Sequence, residues 1–202
     1  MRPNRLALVK SLLPKLALAI SVGDGGTPTP LKLSELFDAK PRNVWLEIGF
    51  GGGEHLVAQA RANPNIGFIG CDPFFEGVGK LLSQIEAAGL SNIRIFPGDA
   101  NRLITALPGV CLGKVFALFP DPWPKKRHHK RRLVNKGFLN SLARTMCDDA
   151  TFHFSTDHDE YGRWVLRFLL EHQAFDWSTR GPRDWRARPS DGIVTRYEQK
   201  AL

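Results

Sequence analysis

A chain of 202 residues holds one globular domain with a substantial core and is too short for two comfortable ones. With 43% apolar and 24% charged residues it has the make-up of an ordinary folded protein, which argues against a fibre, a disordered chain or a membrane protein. A formal charge of +8 and a pI near 9.7 favour a polyanionic partner, provided the cations gather in one place.

The first twenty residues end in Leu-Ala-Leu-Ala-Ile, but Lys10, Pro14 and Lys15 interrupt the stretch and leave an apolar run of five. A secretory signal needs about 7 to 15, and nothing approaches the length of a membrane span. Residues 21–30 collect Gly, Pro, Ser and Thr and read as a mobile connector, so 1–35 is taken as an arm and connector and 36–202 as the main domain. Cys71, Cys111 and Cys147 lie far apart with no C-x-x-C pair, which fits a reducing cytoplasm.

Past the connector, short apolar runs alternate with helix-length segments. Val44–Ile48, Phe68–Cys71, Ile93–Phe96, Val115–Phe119 and Thr151–Phe154 read as buried strands, and helices open near Glu54, Phe74, Ala100, Leu133 and His158. That alternation is the mark of a parallel sheet covered on both faces. Phe175–Thr179 and Thr195–Lys200 break the pattern and read as a late hairpin.

Off the first strand comes Glu47-Ile48-Gly49-Phe50-Gly51-Gly52-Gly53. In a doubly wound sheet a nucleotide-bearing cofactor approaches the backbone at this turn, where glycine leaves room. The spacing is off-register for a dinucleotide fingerprint, because Glu54 stands where the third glycine belongs. Glu47 and Glu54 would also oppose a pyrophosphate at the helix N-terminus. S-adenosylmethionine carries a sulfonium and an ammonium and no phosphate, so the same carboxylates favour it. Asp72 ends the second strand, where a carboxylate accepts from ribose hydroxyls, and Asp99 ends the third, within reach of an adenine amino group.

The fourth strand runs into Phe119-Pro120-Asp121-Pro122-Trp123-Pro124. Three prolines in five residues stiffen the turn and present Asp121 outside the carboxyl end of the sheet. Trp123 either stacks on a base or supports the turn from beneath. Six Lys or Arg and two His follow unbroken, from Lys125 to Arg132, and removing those six cations from +8 leaves +2. Beside a catalytic rim such a patch suits the phosphates of a nucleic acid. No metal site is indicated, since His128 and His129 lie among cations and His153, His158 and His172 lack ligand spacing.

With these elements and the ending Thr195-Arg196-Tyr197-Glu198-Gln199-Lys200-Ala201, the chain resembles the bacterial tRNA (guanine-N7)-methyltransferases from about Leu46 onward. The resemblance implies the Rossmann-like class I methyltransferase fold: a seven-stranded, mostly parallel sheet with an antiparallel C-terminal strand and helices on both faces. It also implies methylation of N7 of the variable-loop guanine at tRNA position 46, with S-adenosylmethionine as donor. On this basis Glu47, Gly49, Gly51, Asp72, Asp99 and Asp121 hold the donor, with Asp121 also catalytic. Lys125, Asp157, Thr195, Arg196, Tyr197 and Glu198 bind the substrate, and Arg127, His128, His129, Lys130, Arg131 and Arg132 contact RNA. Departures are Asp72, where Glu is commoner, Cys147-Asp148-Asp149 in place of a glycine-bearing turn, and a shorter front arm. The rival readings are a methyltransferase of protein or small molecules and a non-catalytic RNA-binding protein on the same fold.

Overall fold

The computed structural model describes residues 2–23, 26, 28–188 and 192–201, leaving aside the side chains of Arg196, Lys200 and Ala201. In chain order come helices α1 (Pro3–Ser11), α2 (Leu13–Leu16) and α3 (Leu33–Leu36), then β1 (Asn43–Ile48), α4 (Glu54–Ala62), β2 (Ile66–Cys71), α5 (Phe75–Ala88), β3 (Ile93–Phe96), α6 (Ala100–Ala106) and β4 (Leu112–Leu118). A 3-10 turn (Lys126–Arg131) follows, then α7 (Lys136–Thr145), β5 (Met146–Ser155), α8 (Asp159–Leu170), α9 (Arg183–Arg186) and α10 (Arg196–Ala201).

The sheet runs β3-β2-β1-β4-β5 with every pair parallel. Residues alternate across it. Leu46, Ile69 and Val115 face Leu103 of α6, Leu139 of α7 and Tyr161 of α8, while Phe68, Ile93 and Ile95 face Leu56 of α4 and Leu81 of α5. Both faces of the inner strands are thereby covered, which is why β1 and β2 read as nearly continuous apolar runs, while the edge strand β5 buries only Met146. The chain doubles back between β1 and β4, and that reversal opens a crevice at the carboxyl ends of the strands.

The arm belongs to the packed body. Helix α1 packs along α5, Leu13 and Leu16 of α2 are buried in the cluster that holds Ile93 and Ile95 of β3, and Leu18 N donates to Ile95 O at 2.8 Å, closing the outer edge of β3. In the connector Thr29 N donates to Ser21 O at 2.9 Å and Val22 pairs with Pro28, while Asp24, Gly25 and Thr27 lie outside the described residues.

Among the described residues the sheet has five strands and no antiparallel member, which corrects the expected seven. Residues 175–179 form no strand and Thr195 leads into α10. The reason is local. Thr195 Oγ1 accepts from Glu198 N at 3.3 Å and Glu198 Oε2 accepts from Thr195 N at 2.8 Å, a reciprocal capping box that starts a helix. The turn expected before β5 survives as a bulge inside it: pairing jumps from Leu112↔Met146 to Lys114↔Thr151, with Asp149 at φ 61°.

Candidate active site

The crevice at the strand ends holds a cleft of about 300 Å³ lined by Gly49, Asp72, Asp99, Asp121, Trp123 and Arg131, among others. Gly49 and Gly51 have φ of 75° and 55°, which glycine adopts without strain, and a Cβ at Gly49 would meet only open space. The loop is pinned by Asp72, whose Oδ2 accepts from Gly51 N at 2.9 Å and whose Oδ1 accepts from Phe74 N at 2.8 Å. Burial raises the Asp72 carboxyl above its usual range, and the amides of Phe74 and Gly51 draw it back only in part. Asp99 caps α6 through Oδ1, accepting from Asn101 N at 2.9 Å and Arg102 N at 3.3 Å, while remaining exposed at the cleft.

Glu47 does not join them. Strand alternation turns it toward α4, where it is 4% exposed and its Oε2 lies 2.7 Å from His55 Nδ1.

Asp121 stands exposed on the proline turn between Phe119, at φ 51°, and Trp123, at φ 45°. Two non-glycine residues in the left-handed region mark a turn held by its surroundings. Phe119 stacks on Tyr197 with ring centroids 5.3 Å apart, and Tyr197 Oη donates to Asp157 Oδ2 at 3.0 Å, which pushes the Tyr197 hydroxyl up. These contacts bring α10 and the Asp157 loop to the rim beside Asp121. Thr195 and Glu198 are engaged with each other in the cap, and Glu198 Oε1 accepts from Arg188 Nη2 at 2.6 Å. Burial would raise Glu198, yet the Thr195 and Arg188 bonds hold it below the usual range. Arg196 opens α10.

Lys125, Lys126, Arg127, Lys130 and Arg131 are exposed and His128 and His129 half-buried, forming a cationic ledge. Arg131 lies over the Trp123 ring at 4.9 Å and His128 meets its edge at 5.7 Å. Trp123 thus lines the cleft and anchors the ledge at once. Arg132 departs from the expectation for this row. It is 1% exposed, and its guanidinium faces inward to Glu160 and to Pro122 O, so it has no surface to offer RNA.

The profile of a family described as a putative methyltransferase matches residues 41–202. The tRNA (guanine-N(7)-)-methyltransferase of Rhodospirillum rubrum is 46% identical over 203 residues, covering 100% of this chain and 78% of that protein. That of Ruegeria pomeroyi is 47% identical over 203 residues, covering 100% of this chain and 84% of its own. The chain belongs to the tRNA (guanine-N(7)-)-methyltransferase family. Among solved structures, a 16S rRNA methyltransferase, KamB, aligns with a TM-score of 0.54 at 19% identity, over 76% of this chain and 79% of its own, which places the fold in the class I methyltransferase group.

The lining of the cleft suits the chemistry of S-adenosylmethionine, the methyl donor of this family. Three carboxylates face it, the glycine loop opens onto free space, and its volume sits at the lower end of the range for small-molecule sites. Sequence reasoning missed Glu160, Arg188 and the exposed Phe74 at the cleft rim. A visible signal existed for Phe74 alone, as an aromatic two residues after the Asp72 strand end.

Proposed function

We propose that this methyltransferase transfers a methyl group from S-adenosylmethionine to N7 of guanine in tRNA, at the variable-loop position 46, forming N7-methylguanosine. Family membership supports the reaction, and one observation carries the site: Asp72, Asp99 and Asp121 converge on a single cleft bordered by the exposed cations of residues 125–131.

When bound, S-adenosylmethionine supplies an electrophilic methyl on a sulfonium cation. Guanine N7 has an in-plane lone pair and no proton to lose, so the chain needs no strong base and acts chiefly by positioning. Asp72 and Asp99 accept from the ribose hydroxyls and the adenine amino group, each while holding a backbone element in place. Gly49 and Gly51 let the backbone close on the donor, and Asp121 stabilises positive charge as it moves onto the purine. Asp157 suits the N–H donors of the guanine edge, assisted by Thr195 and Tyr197. Glu198 supports the same side through the cap that shapes the start of α10, the helix that Arg196 opens. Glu47, on the α4 face of β1, ties the end of that strand through His55 to the first turn of α4, on either side of the glycine loop.

Lys125, Arg127, His128, His129, Lys130 and Arg131 would bind tRNA phosphates. Because N7 is hard to reach in the deep groove of helical RNA, the guanine is drawn out of its stack. Residues 36–202 would carry this chemistry and 1–35 would brace β3. A cytoplasmic setting fits the three free cysteines. Among the described residues no helix is long and apolar enough to cross a membrane.

Asp121→Ala tests the assignment. It is expected to abolish methyl transfer to tRNA with the melting temperature close to wild type, and wild-type turnover would remove Asp121 from the reaction.

A further inference from the structure

We infer that Arg132 is a positioning residue: with Glu160 it clamps the proline turn to α8 and so sets Asp121 relative to Asp157. The inference rests on the function proposed above and assigns Arg132 a part different from the cations beside it.

All three guanidinium nitrogens are engaged. Nε donates to Pro122 O at 2.8 Å, Nη1 donates to Glu160 Oε1 at 3.0 Å and Nη2 pairs with Glu160 Oε2, a fork-on-fork arrangement that fixes the plane of both groups. Its Cζ lies 5.1 Å from the Tyr161 ring centroid and 4.8 Å from that of Trp164. The side chain is fully buried, whereas that of Glu160 is 48% exposed. Taking a cation out of water is costly unless it is paired and hydrogen-bonded, and such a pair adds little net stability over apolar residues of like size. Its use is therefore to be sought in geometry.

The geometry supplies one. Pro120, Pro122 and Pro124 have no amide to donate, so the turn that carries Asp121 cannot tie itself down in the usual way. The bond from Arg132 Nε grips the carbonyl next to Asp121 in the chain. Its other end is fixed to α8, which begins two residues after Asp157. A second strut runs parallel: Trp164 Nε1 donates to Val134 O at 2.8 Å and Val134 N donates to Tyr161 Oη at 3.5 Å. The carboxylate beside the reacting methyl and the carboxylate facing the guanine thus belong to one braced unit, and a displacement of about 1 Å there is enough to cost about a hundredfold in rate.

The test compares the full-length enzyme with Glu160→Gln, Arg132→Lys and Arg131→Ala, measuring kcat, KM for tRNA, and the salt dependence of tRNA binding. Glu160→Gln and Arg132→Lys are expected to lower kcat by about ten- to a hundredfold, with KM and the salt slope near wild type. Arg131→Ala is expected to reduce the salt slope by about one. Hydrogen exchange at the amides of Phe119, Asp121 and Trp123 reads the clamp without any turnover. Exchange should quicken in Glu160→Gln, a half-exposed site unlike buried Arg132, so that variant stands if Arg132→Lys fails to fold. Unchanged kcat and unchanged exchange in Glu160→Gln would overturn the inference, as would an Arg132→Lys enzyme with full kcat and a flattened salt slope. If the wild-type enzyme leaves tRNA unmodified, the proposed function fails, and the exchange measurement still decides the clamp.

Discussion

Asp72 sits where burial and hydrogen bonding pull in opposite directions, and its titration carries information about the cleft. Because burial raises its carboxyl, it takes up a proton at higher pH than an ordinary aspartate. The ribose hydroxyls and the cationic donor call for the ionised form. Calorimetric affinity for S-adenosylmethionine should therefore fall on acidification, beginning above the ordinary aspartate range. Asp72→Asn should bind weakly across the range, and an affinity independent of pH would remove Asp72 from the donor site. Glu160 has the opposite sign. Its hydrogen bonds to Arg132 depress it, so its contribution to stability is present above the usual glutamate range and is lost as pH falls through the lowered value. Acid unfolding of Glu160→Gln should lack that component. Asp72, Asp99 and Asp121 were legible because each closes or follows an apolar strand, where a side chain must emerge at the rim. The orientation of Glu47 follows from two-residue alternation, since Leu46 and Ile48 face the α6, α7 and α8 side and Glu47 therefore faces α4. Arg132 was illegible for a related reason: a run of cations has no inner or outer side until the apolar pair Leu133-Val134 that ends it is seen to enter the core.

At the scale of elements, β1 to β4 are readable since burial leaves them largely apolar, whereas β5 is an edge strand with only Met146 buried and is legible only in its apolar second half, and helix starts at Ala100 and Glu54 are fixed by the Asp99 cap and the glycine loop. The C-terminal element differs from the hairpin expectation by one rule. Thr195-x-x-Glu198 has the form of a capping box, and the structure uses it as one. Thr195→Ala should destabilise α10 by about 1 kcal/mol. Since Tyr197 on that helix stacks on Phe119 and bonds Asp157, the variant should raise KM for tRNA more than it affects donor binding. Equal losses in both would uncouple α10 from the substrate side.

For the whole molecule, charge and fold are divided by location. The apolar clusters lie on the two faces of the sheet, the carboxylates gather at its carboxyl edge, and the main cationic patch stands just outside that edge. Replacing Arg127, Lys130 and Arg131 together with Ala should weaken tRNA binding and reduce its salt slope by about 2 to 3, leaving the melting temperature nearly unchanged. An unaltered slope would assign the ledge to solubility. The most direct measurement is transfer of labelled methyl from S-adenosylmethionine to unfractionated tRNA, followed by nuclease digestion and identification of the labelled nucleoside. The account predicts label in N7-methylguanosine alone; label in another nucleoside, or none in tRNA, would contradict it.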